Sequence, residues 1–365
     1  MFGKGNVIIF ESVPDFSDNP YAVYQEMIRR DLHKKYKILW SCSKDVTMPQ
    51  TPAGVGYIYP LKKTVKERLR NMYYMANAKC MVCCNRFLVP WRKSQPCFYL
   101  THGTTIKQVR GYYNLPEPIQ YCLSAAPAVA ELTADALRTD INKMFSLGFP
   151  RNDVLLTANE PIREMLGTTC KKVIVWYPTF RQHASGSNVS SGNALPVIHD
   201  QQAALELNQW AKDLDILLVL KPHFAQDLSQ IKALDLSNIR FIDDEFFRIH
   251  NIGSYAFVAS CDALLSDYSS IYYDYLLCDK PVGLVWEDIE EYRQNPGFAV
   301  DLDVMCKGGV KIYNLEDFKS FLKEVAEETD SCGEARREIR DLTNYKPDGK
   351  ATQRVTDFIV EKACL

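Results

Sequence analysis

The stretch YLTHGTTIK, Tyr99–Lys107, carries an apolar strand directly into a histidine and a glycine. Leu100 is the last residue of the predicted strand, and Gly103 permits a close approach of the backbone just after it. Open parallel α/β sheets bind their ligands beyond the carboxyl ends of the strands. The stretch therefore predicts that His102, Gly103 and Thr104 lie at a ligand-binding edge of such a sheet.

Short apolar runs alternate with helical patterns over the first part of the chain. The pattern Asp18-Asn19-Pro20 is typical of a helix start, because it supplies an N-cap and a first-turn proline for a helix through Arg30. A basic helix is predicted over Lys62–Ala76. The predicted strands between these helices are Asn6–Phe10, Tyr36–Trp40, Cys80–Cys84 and Cys97–Leu100. This βαβ order indicates a mostly parallel sheet that is covered on both faces.

The same order begins again after a polar stretch around Gly167. We therefore predict two α/β domains, over 1–160 and 161–345, with a central cleft between them and a C-terminal helix within 346–365 that packs back on the first domain. Ser185–Asn193 is almost without apolar residues and is predicted to be a surface loop and candidate lid. The second series of strands comprises Val173–Tyr177, Ile216–Leu220, Ala263–Leu265 and Val282–Val285.

Composition narrows the class of protein. The 365 residues are 24% charged and 47% hydrophobic with a formal net charge of −2, as in an ordinary globular protein. No stretch approaches the 18 apolar residues of a spanning helix, and the apolar run after Asn6 is too short for a signal peptide. The 12 cysteines are spread along a long chain, which favours reduced thiols and a cytoplasmic location.

The segment 60–110 is strongly basic, since it holds eleven Lys or Arg residues against the single acid Glu67. This charge fits a solvated helix face or an anionic partner. Nucleic acid is the weakest partner, because no recognisable nucleic-acid motif interleaves stacking aromatics with these charges. An anionic membrane surface and a phosphate-rich substrate remain.

Three strand ends in the second half also carry polar residues suited to phosphate. Lys221 and His223 follow one strand, and Thr179 and Arg181 follow another. Ser269 and Ser270 stand between a strand and a helix whose first backbone N–H groups suit an anion, although an N-cap pair without a ligand fits equally. There is no Walker loop, GxGxxG or Gly-x-Ser-x-Gly motif. The CxxC spacing of Cys80 and Cys83 lacks a second pair, so no metal site is predicted.

Five short motifs follow one another along the chain, namely HGTTIK at His102–Lys107, GFPRND at Gly148–Asp153, PTFR at Pro178–Arg181, KPH at Lys221–His223 and DYSSIYYD at Asp267–Asp274. In this order they resemble the motifs of the CDP-glycerol glycerophosphotransferases, the family of teichoic-acid polymerases and primases, over essentially the whole chain. The departures are Thr105, where the family usually has proline, and Phe180, where it usually has tryptophan; they bear on substrate fit more than on reaction class.

The resemblance implies a GT-B type fold of two Rossmann-like domains, the second of which holds the nucleotide. It implies transfer of a polyol phosphate, most simply glycerol phosphate, from a CDP-linked donor to a hydroxyl of a lipid-linked, phosphate-containing acceptor. CMP is released, and no cofactor is identified. The acceptor would place the protein at the inner face of the cell membrane, with the basic segment 60–110 on the anionic surface.

The implied roles follow the motif positions. His102 is expected to be the base and His223 to donate to the pyrophosphate, although the two roles could be exchanged. Asp267 and Asp274 are assigned to orientation or helix capping, because a bare carboxylate repels a diphosphate. The residues expected to contact substrate are Gly103, Thr104, Lys107, Thr179, Arg181, Lys221, Asp267, Ser269, Ser270 and Asp274.

Two other classes stay open on sequence alone. A GT-B glycosyltransferase or epimerase would share the fold but use a nucleotide sugar, and a binding module would hold polymer without turnover. The sequence also leaves open whether the polyol is glycerol or ribitol, whether one unit or many are added, and which oligomer forms.

Overall fold

The computed structural model describes residues 5–43, 51–59, 64–111, 113–179, 195–222 and 228–365. Contacts divide the chain into two compact units. The first contains 1–104, 110–153 and 342–365, and the second contains 105–109 and 154–341. These divisions fall a few residues before the boundaries at 160 and 345 that the sequence suggests.

The first unit is built on a parallel sheet of seven strands among the described residues, in the order β3-β2-β1-β4-β5-β6-β7. Its central strands are buried along most of their length, as expected when helices cover both faces of a parallel sheet. The strands are β1 Val7–Phe10, β2 Lys37–Ser41, β3 Val55–Ile58, β4 Ala78–Cys83, β5 Cys97–Tyr99, β6 Tyr121–Ser124 and β7 Met144–Ser146. The helices are α1 Asp18–Arg29, α2 Leu32–Lys35, α3 Val65–Ala76 and α4 Ala130–Ala136.

The second unit repeats this architecture with six described strands, in the order β10-β9-β8-β11-β12-β13. Every described strand pairing in both sheets is parallel. The strands are β8 Lys172–Trp176, β9 Ile216–Leu220, β10 Ile239–Phe241, β11 Ala263–Ser266, β12 Val282–Val285 and β13 Val310–Ile312. The helices are α5 Ile162–Met165, α6 Gln201–Asp213, α7 Ser229–Lys232, α8 Asp244–Ile249, α9 Ser254–Ser260, α10 Ile271–Tyr275, α11 Ile289–Gln294, α12 Leu302–Met305, α13 Leu315–Ala326 and α14 Gly333–Thr343, which continues into the first unit.

The last helix, α15 Ala351–Ala363, packs within the first unit. Phe358 stacks on Phe145 with ring centroids 4.4 Å apart and meets Phe98 and Tyr121 edge-on. The C-terminal segment is therefore part of the first unit's core.

The predicted parallel α/β architecture is confirmed in both halves, and the central strands lie where the apolar runs indicated. Five strands were not predicted, namely β3, β6, β7, β10 and β13. Four of them are the outermost strands of their sheets. Edge strands are short and are covered less completely, so they lack the continuous apolar run that marks a central parallel strand.

The basic helix begins at Val65, with Thr64 as its N-cap, while Lys62 and Lys63 lie outside the described residues. The candidate lid Ser185–Asn193 also lies outside them. All twelve cysteines are free thiols. In the part of the chain that the structure describes, no helix has the length and apolar character needed to cross a bilayer.

Candidate functional site

His102 lies just beyond β5, at the carboxyl edge of the first sheet, with its side chain exposed. Its Nδ1 is 3.1 Å from the carbonyl oxygen of Cys84, which follows the neighbouring strand β4. A carbonyl can only accept, so this contact assigns the hydrogen of the neutral ring to Nδ1. The lone pair is then on Nε2, and this is the tautomer that a base needs.

The backbone before His102 is held by Asn19, a fully buried side chain near the start of α1. Its Nδ2 donates to the carbonyls of Leu100 and Thr101, each at 2.9 Å. Thr101 has a φ of 33° and Gly103 a φ of 140°, so the chain turns sharply on both sides of the histidine. Positive φ is unfavourable for a β-branched residue, and the two bonds from Asn19 hold the chain in that turn.

The motif Gly148–Asp153 is hydrogen-bonded to the residues that hold this turn. The backbone N–H of Arg151 donates to Asn19 Oδ1 at 3.1 Å, and Arg151 Nη1 lies 2.8 Å from both carboxylate oxygens of Asp18. Asp18 was predicted as part of an N-cap. The residue at that position is Ser17, and Asp18 is instead the partner of Arg151.

Asp153, at the end of the same motif, caps a distant helix. Its carboxylate accepts from the backbone N–H groups of Ala351 at 2.9 Å and Thr352 at 2.8 Å, which begin α15. Gly148 has a φ of 82°, and a Cβ there would lie 3.0 Å from that of Ala351. In the structure the motif thus joins α15 and α1 to the loop that carries His102.

Cys84 does not form a nucleophile pair with His102. The histidine bonds the carbonyl of Cys84, while the thiol Sγ lies 2.8 Å from Asn85 Oδ1. Burial, with the nearby carboxylates of Asp18 and Glu11, raises the pKa of the Cys84 thiol far above its usual value. The thiol therefore stays protonated at neutral pH.

Thr104 and Lys107, which follow the histidine in the sequence, belong to different units. Thr104 is buried with the first unit, and its Oγ1 has no hydrogen-bond partner among the described residues. Lys107 groups with the second unit, where it forms a β-bridge with Phe298 and places Nζ 5.6 Å from the centre of the Tyr292 ring. The predicted motif is therefore shared by both units of the chain.

In the second unit, Thr179 and Asp267 meet beyond the ends of β8 and β11. The Thr179 N–H donates to Asp267 Oδ2 at 2.7 Å, and the Thr179 hydroxyl donates to Oδ1. Strands β8 and β11 are neighbours where the strand order reverses, which is where open α/β sheets bind ligands. Asp267 is fully buried, so its carboxylate orients the chain after β8.

The serines and Asp274 occupy the next turn. Ser269 Oγ accepts from the Ile271 N–H at 3.4 Å, and both serine residues are partly exposed. The regular helix α10 is five residues long and continues as a 3₁₀ turn through Cys278. Asp274 is buried and accepts from the Tyr255 hydroxyl at 2.7 Å, which joins α10 to α9.

Lys221 follows β9 on the same edge of the second sheet. Its Nζ lies 3.0 Å from Asp244 Oδ1, at the start of α8, so the ammonium group is paired. The predicted residues Arg181 and His223 lie outside the described residues. The structure thus collects Thr179, Lys221, Asp267 and the two serines along one edge.

Two polar arrangements at strand ends were not predicted. Glu11, the residue that stops the apolar run of β1, is fully buried beside Arg86 after β4. His199 Nε2 lies 2.5 Å from Glu287 Oε1, two residues beyond β12. For Glu11 the signal was present, since a charged residue directly follows a buried strand. Glu287 stands in the acidic run Glu287–Glu291, which gives no sign of a histidine partner.

No group of three or more His, Cys, Asp or Glu residues within the described ranges could hold an ion.

Two curated relatives resemble the chain along most of its length. The chain is 25% identical to the teichoic acid poly(glycerol phosphate) polymerase of Bacillus subtilis (strain 168), over 98% of this chain and 49% of the relative. It is 21% identical to the teichoic acid glycerol-phosphate primase of the same organism, over 94% of this chain and 89% of the relative. The chain therefore spans about half the length of the polymerase.

A solved structure supports the fold. The Wall Teichoic Acid Polymerase TagF superposes with a TM-score of 0.73 at 21% identity, over 98% of this chain and 89% of that chain. At this identity the likeness concerns the fold, and it confirms the predicted GT-B type with two Rossmann-like α/β domains. The family model described as CDP-Glycerol:Poly(glycerophosphate) glycerophosphotransferase matches residues 1–361. The chain belongs to this family.

Proposed function

We propose that the chain transfers a polyol phosphate, glycerol phosphate foremost, from a CDP-linked donor to a hydroxyl of a lipid-linked acceptor and releases CMP. The product would be a teichoic acid or a capsule-type polymer. The observation that carries this proposal is His102, which stands at a strand end with Nδ1 bonded to the Cys84 carbonyl and Nε2 left as the base. Family membership supplies the donor class.

In the proposed reaction, His102 Nε2 takes the proton of the acceptor hydroxyl as its oxygen attacks the phosphorus next to the polyol. The new P–O bond forms, the bond to CMP breaks, and CMP leaves with the electron pair. Such transfers depend mainly on positioning and on stabilisation of charge. We assign donor binding to Lys221, Ser269 and Ser270, with Arg181 and His223 from the sequence. Orientation is assigned to Asp267 and Asp274, and to Thr179, whose N–H and hydroxyl both donate to Asp267.

Gly103, Thr104 and Lys107 complete the proposal. Gly103 would let the acceptor approach the backbone, and Lys107 would supply positive charge near the donor. Thr104 would support the turn from within the first unit, because its hydroxyl is buried. No cofactor is assigned.

The test measures CMP release from CDP-glycerol and from CDP-ribitol, each with a short lipid-linked glycerol phosphate acceptor. We expect turnover with one donor and a loss of about 10²- to 10⁴-fold in His102→Ala, the range for removal of a general base. His33→Ala is the matched control, because His33 lies in α2 of the same unit and should retain activity. Turnover with UDP- or GDP-sugars and none with CDP-polyols would contradict the proposal and favour the nucleotide-sugar alternative.

We further propose that the protein binds the anionic inner face of the cell membrane through part of the basic segment 60–110. Helix α3 exposes Leu69, Met72 and Tyr73, and these side chains with Ala76, Trp91 and Arg92 line a groove of about 490 Å³. Four basic residues close to these positions in the sequence have exposed side chains, namely Lys66, Arg68, Arg70 and Lys93. Apolar side chains bordered by basic residues suit an anionic bilayer.

Not every cation of the segment is available for this role. Arg86 is paired with Glu11 and Asp15, and Arg110 with Asp135. The proposed surface is therefore the exposed face of α3 with the loop around Trp91.

Sedimentation with phosphatidylglycerol and with phosphatidylcholine vesicles tests this surface. Lys66→Glu combined with Arg68→Glu should weaken binding to the anionic vesicles by at least about 30-fold, since each basic residue contributes about 1 kcal/mol. Lys212→Glu with Lys323→Glu, two exposed positions of the second unit, changes the net charge equally and should bind as the wild type does. Equal loss in both variants would contradict a specific surface.

A further inference from the structure

The buried carboxylate of Glu11 contacts the turn after β4, and the same turn contacts His102. Glu11 is fully inaccessible, and its carboxylate accepts from three consecutive backbone N–H groups, those of Cys84 at 3.3 Å, Asn85 at 3.2 Å and Arg86 at 3.0 Å. Arg86 Nε adds a fourth donor at 3.1 Å. A single side chain therefore fixes the whole turn after β4.

That turn provides the partner of the histidine. Cys84 donates its backbone N–H to Glu11, and its carbonyl oxygen accepts the hydrogen bond from His102 Nδ1. Glu11, Cys84 and His102 follow β1, β4 and β5, which are three adjacent strands of the sheet. Hydrogen bonds thus connect the ends of these three strands along the carboxyl edge of the sheet.

Only a carboxylate satisfies this turn completely. An ionised carboxylate is acceptor-only with room for four hydrogen bonds, and it meets four donors here. The amide of a glutamine would place an NH₂ group against some of these N–H groups. The Arg86 guanidinium is itself held by Asp15 Oδ1 at 3.4 Å and by the Ser41 carbonyl at 3.2 Å, so this donor cannot simply turn away.

We infer that Glu11 is a positioning residue for His102, which acts through the Cys84–Arg86 turn to hold the imidazole with its hydrogen on Nδ1 and its lone pair on Nε2. The catalytic role inferred for Glu11 rests on the proposed function, whereas its effect on the His102 tautomer is independent of that function. Outer hydrogen-bonding partners orient functional histidines in the same way at metal sites.

The first measurement is the tautomer, read from the ring nitrogen shifts of ¹⁵N-histidine-labelled protein. The His102 signals are assigned by their loss in His102→Asn. In the wild type at neutral pH we expect the Nδ1–H form, and in Glu11→Gln a mixture with the Nε2–H form. Glu26→Gln is the control, because Glu26 is a buried carboxylate of the same unit whose partners are Arg29 and Arg30. It should keep the wild-type spectrum.

Kinetics supply the second readout. Glu11→Gln should lower kcat by about 10- to 100-fold, the loss typical of an outer histidine partner, with KM nearly unchanged because no substrate contact is removed. Circular dichroism checks that the variant folds. An Nε2–H form in the wild type, or a folded Glu11→Gln with the wild-type tautomer and kcat, overturns the inference.

The two proposals can fail separately. If no CDP-polyol is turned over but the tautomer shifts in Glu11→Gln, the proposed function is wrong and the positioning stands. If turnover is found and lost in His102→Ala while Glu11→Gln behaves as the wild type, only the inference about Glu11 is wrong. If Glu11→Gln does not fold, Glu11→Asp, whose carboxylate is one methylene shorter, is measured in its place and should give the same mixture of Nδ1–H and Nε2–H forms; a wild-type spectrum there overturns the inference.

Discussion

Arg336 is a charged side chain with 1% of its surface exposed, and the carboxylates around it explain how it is tolerated. Nη1 and Nη2 contact the two oxygens of Asp330, and Nε lies 3.2 Å from Asp279 Oδ1. A buried guanidinium is stable only when its donors are satisfied. Its hydrogen bonds hold the pKa of Asp330 below the usual 3.8.

Asp330→Asn should therefore destabilise the protein by about 2 kcal/mol at neutral pH, since hydrogen bonds to a charged group are lost. A carboxyl whose pKa is lower in the folded state contributes its full stabilisation above the unfolded pKa of 3.8, and this is lost as the pH falls through the folded pKa. The difference between variant and wild type should thus shrink below about pH 3.8. Urea unfolding over a pH series measures it.

Asp341→Asn is the control for this prediction. Asp341 is 62% exposed beside Arg340, and loss of an exposed pair should change the free energy of unfolding by less than about 0.5 kcal/mol. A pH-independent deficit in Asp330→Asn would show that the charge of Asp330 is not what stabilises Arg336.

At the scale of elements, a glycine sets how closely β12 packs against its neighbours. A Cβ at Gly283 would lie 2.6 Å from Leu265 Cδ2, 2.8 Å from Ile312 Cδ1 and 3.1 Å from Phe321 Cε1. These side chains belong to β11, β13 and α13, so the glycine brings two strands and a helix together. The sequence places the strand correctly but carries no sign of this contact.

Gly283→Ala should cost about 1 to 3 kcal/mol, because overpacking forces core side chains out of their preferred rotamers. Gly56→Ala, on the edge strand β3, meets only Leu39 Cδ2 at 3.2 Å and should cost much less. Thermal unfolding followed by circular dichroism compares the two. Equal losses would indicate that β propensity, rather than packing, limits both positions.

At the scale of the whole molecule, each unit has its own apolar core. One cluster joins Val7, Ile9, Leu39 and Cys122 in the first unit, whereas larger clusters around Leu264 and Leu218 fill the second. The C-terminal helix α15 belongs with the first unit through Phe358. A residue near the end of the chain therefore stabilises strands formed from its first half.

Phe358→Ala should raise hydrogen exchange in β5, β6 and β7 while β8 to β12 exchange as in the wild type. The expected loss is about 2 kcal/mol, less than for a fully buried phenylalanine because Phe358 is only partly buried. Exchange measured by mass spectrometry reports each peptide separately. Phe321→Ala, in the core of the second unit, should give the opposite distribution, and faster exchange throughout in Phe358→Ala would contradict separate cores.

The parallel α/β class and the central strands were predictable from the sequence, because apolar runs and helix signals are local and are read in chain order. So were the residues that stand at strand ends, among them His102, Thr179 and Lys221. Their roles in chemistry stay predictions. The expectation that Asp267 and Asp274 orient their surroundings came from electrostatics alone, since a bare carboxylate repels a diphosphate.

Which strand ends meet one another becomes visible only in the folded chain. Asn19 bonds Thr101 across 82 residues, Glu11 bonds Arg86 across 75, and Asp153 caps α15 across 198. Strand order selects these partners, and that order follows from how helices cover the two faces of each sheet rather than from any local pattern. Hydrogen bonds of this kind depend on distance in space, and a one-dimensional sequence records only distance along the chain.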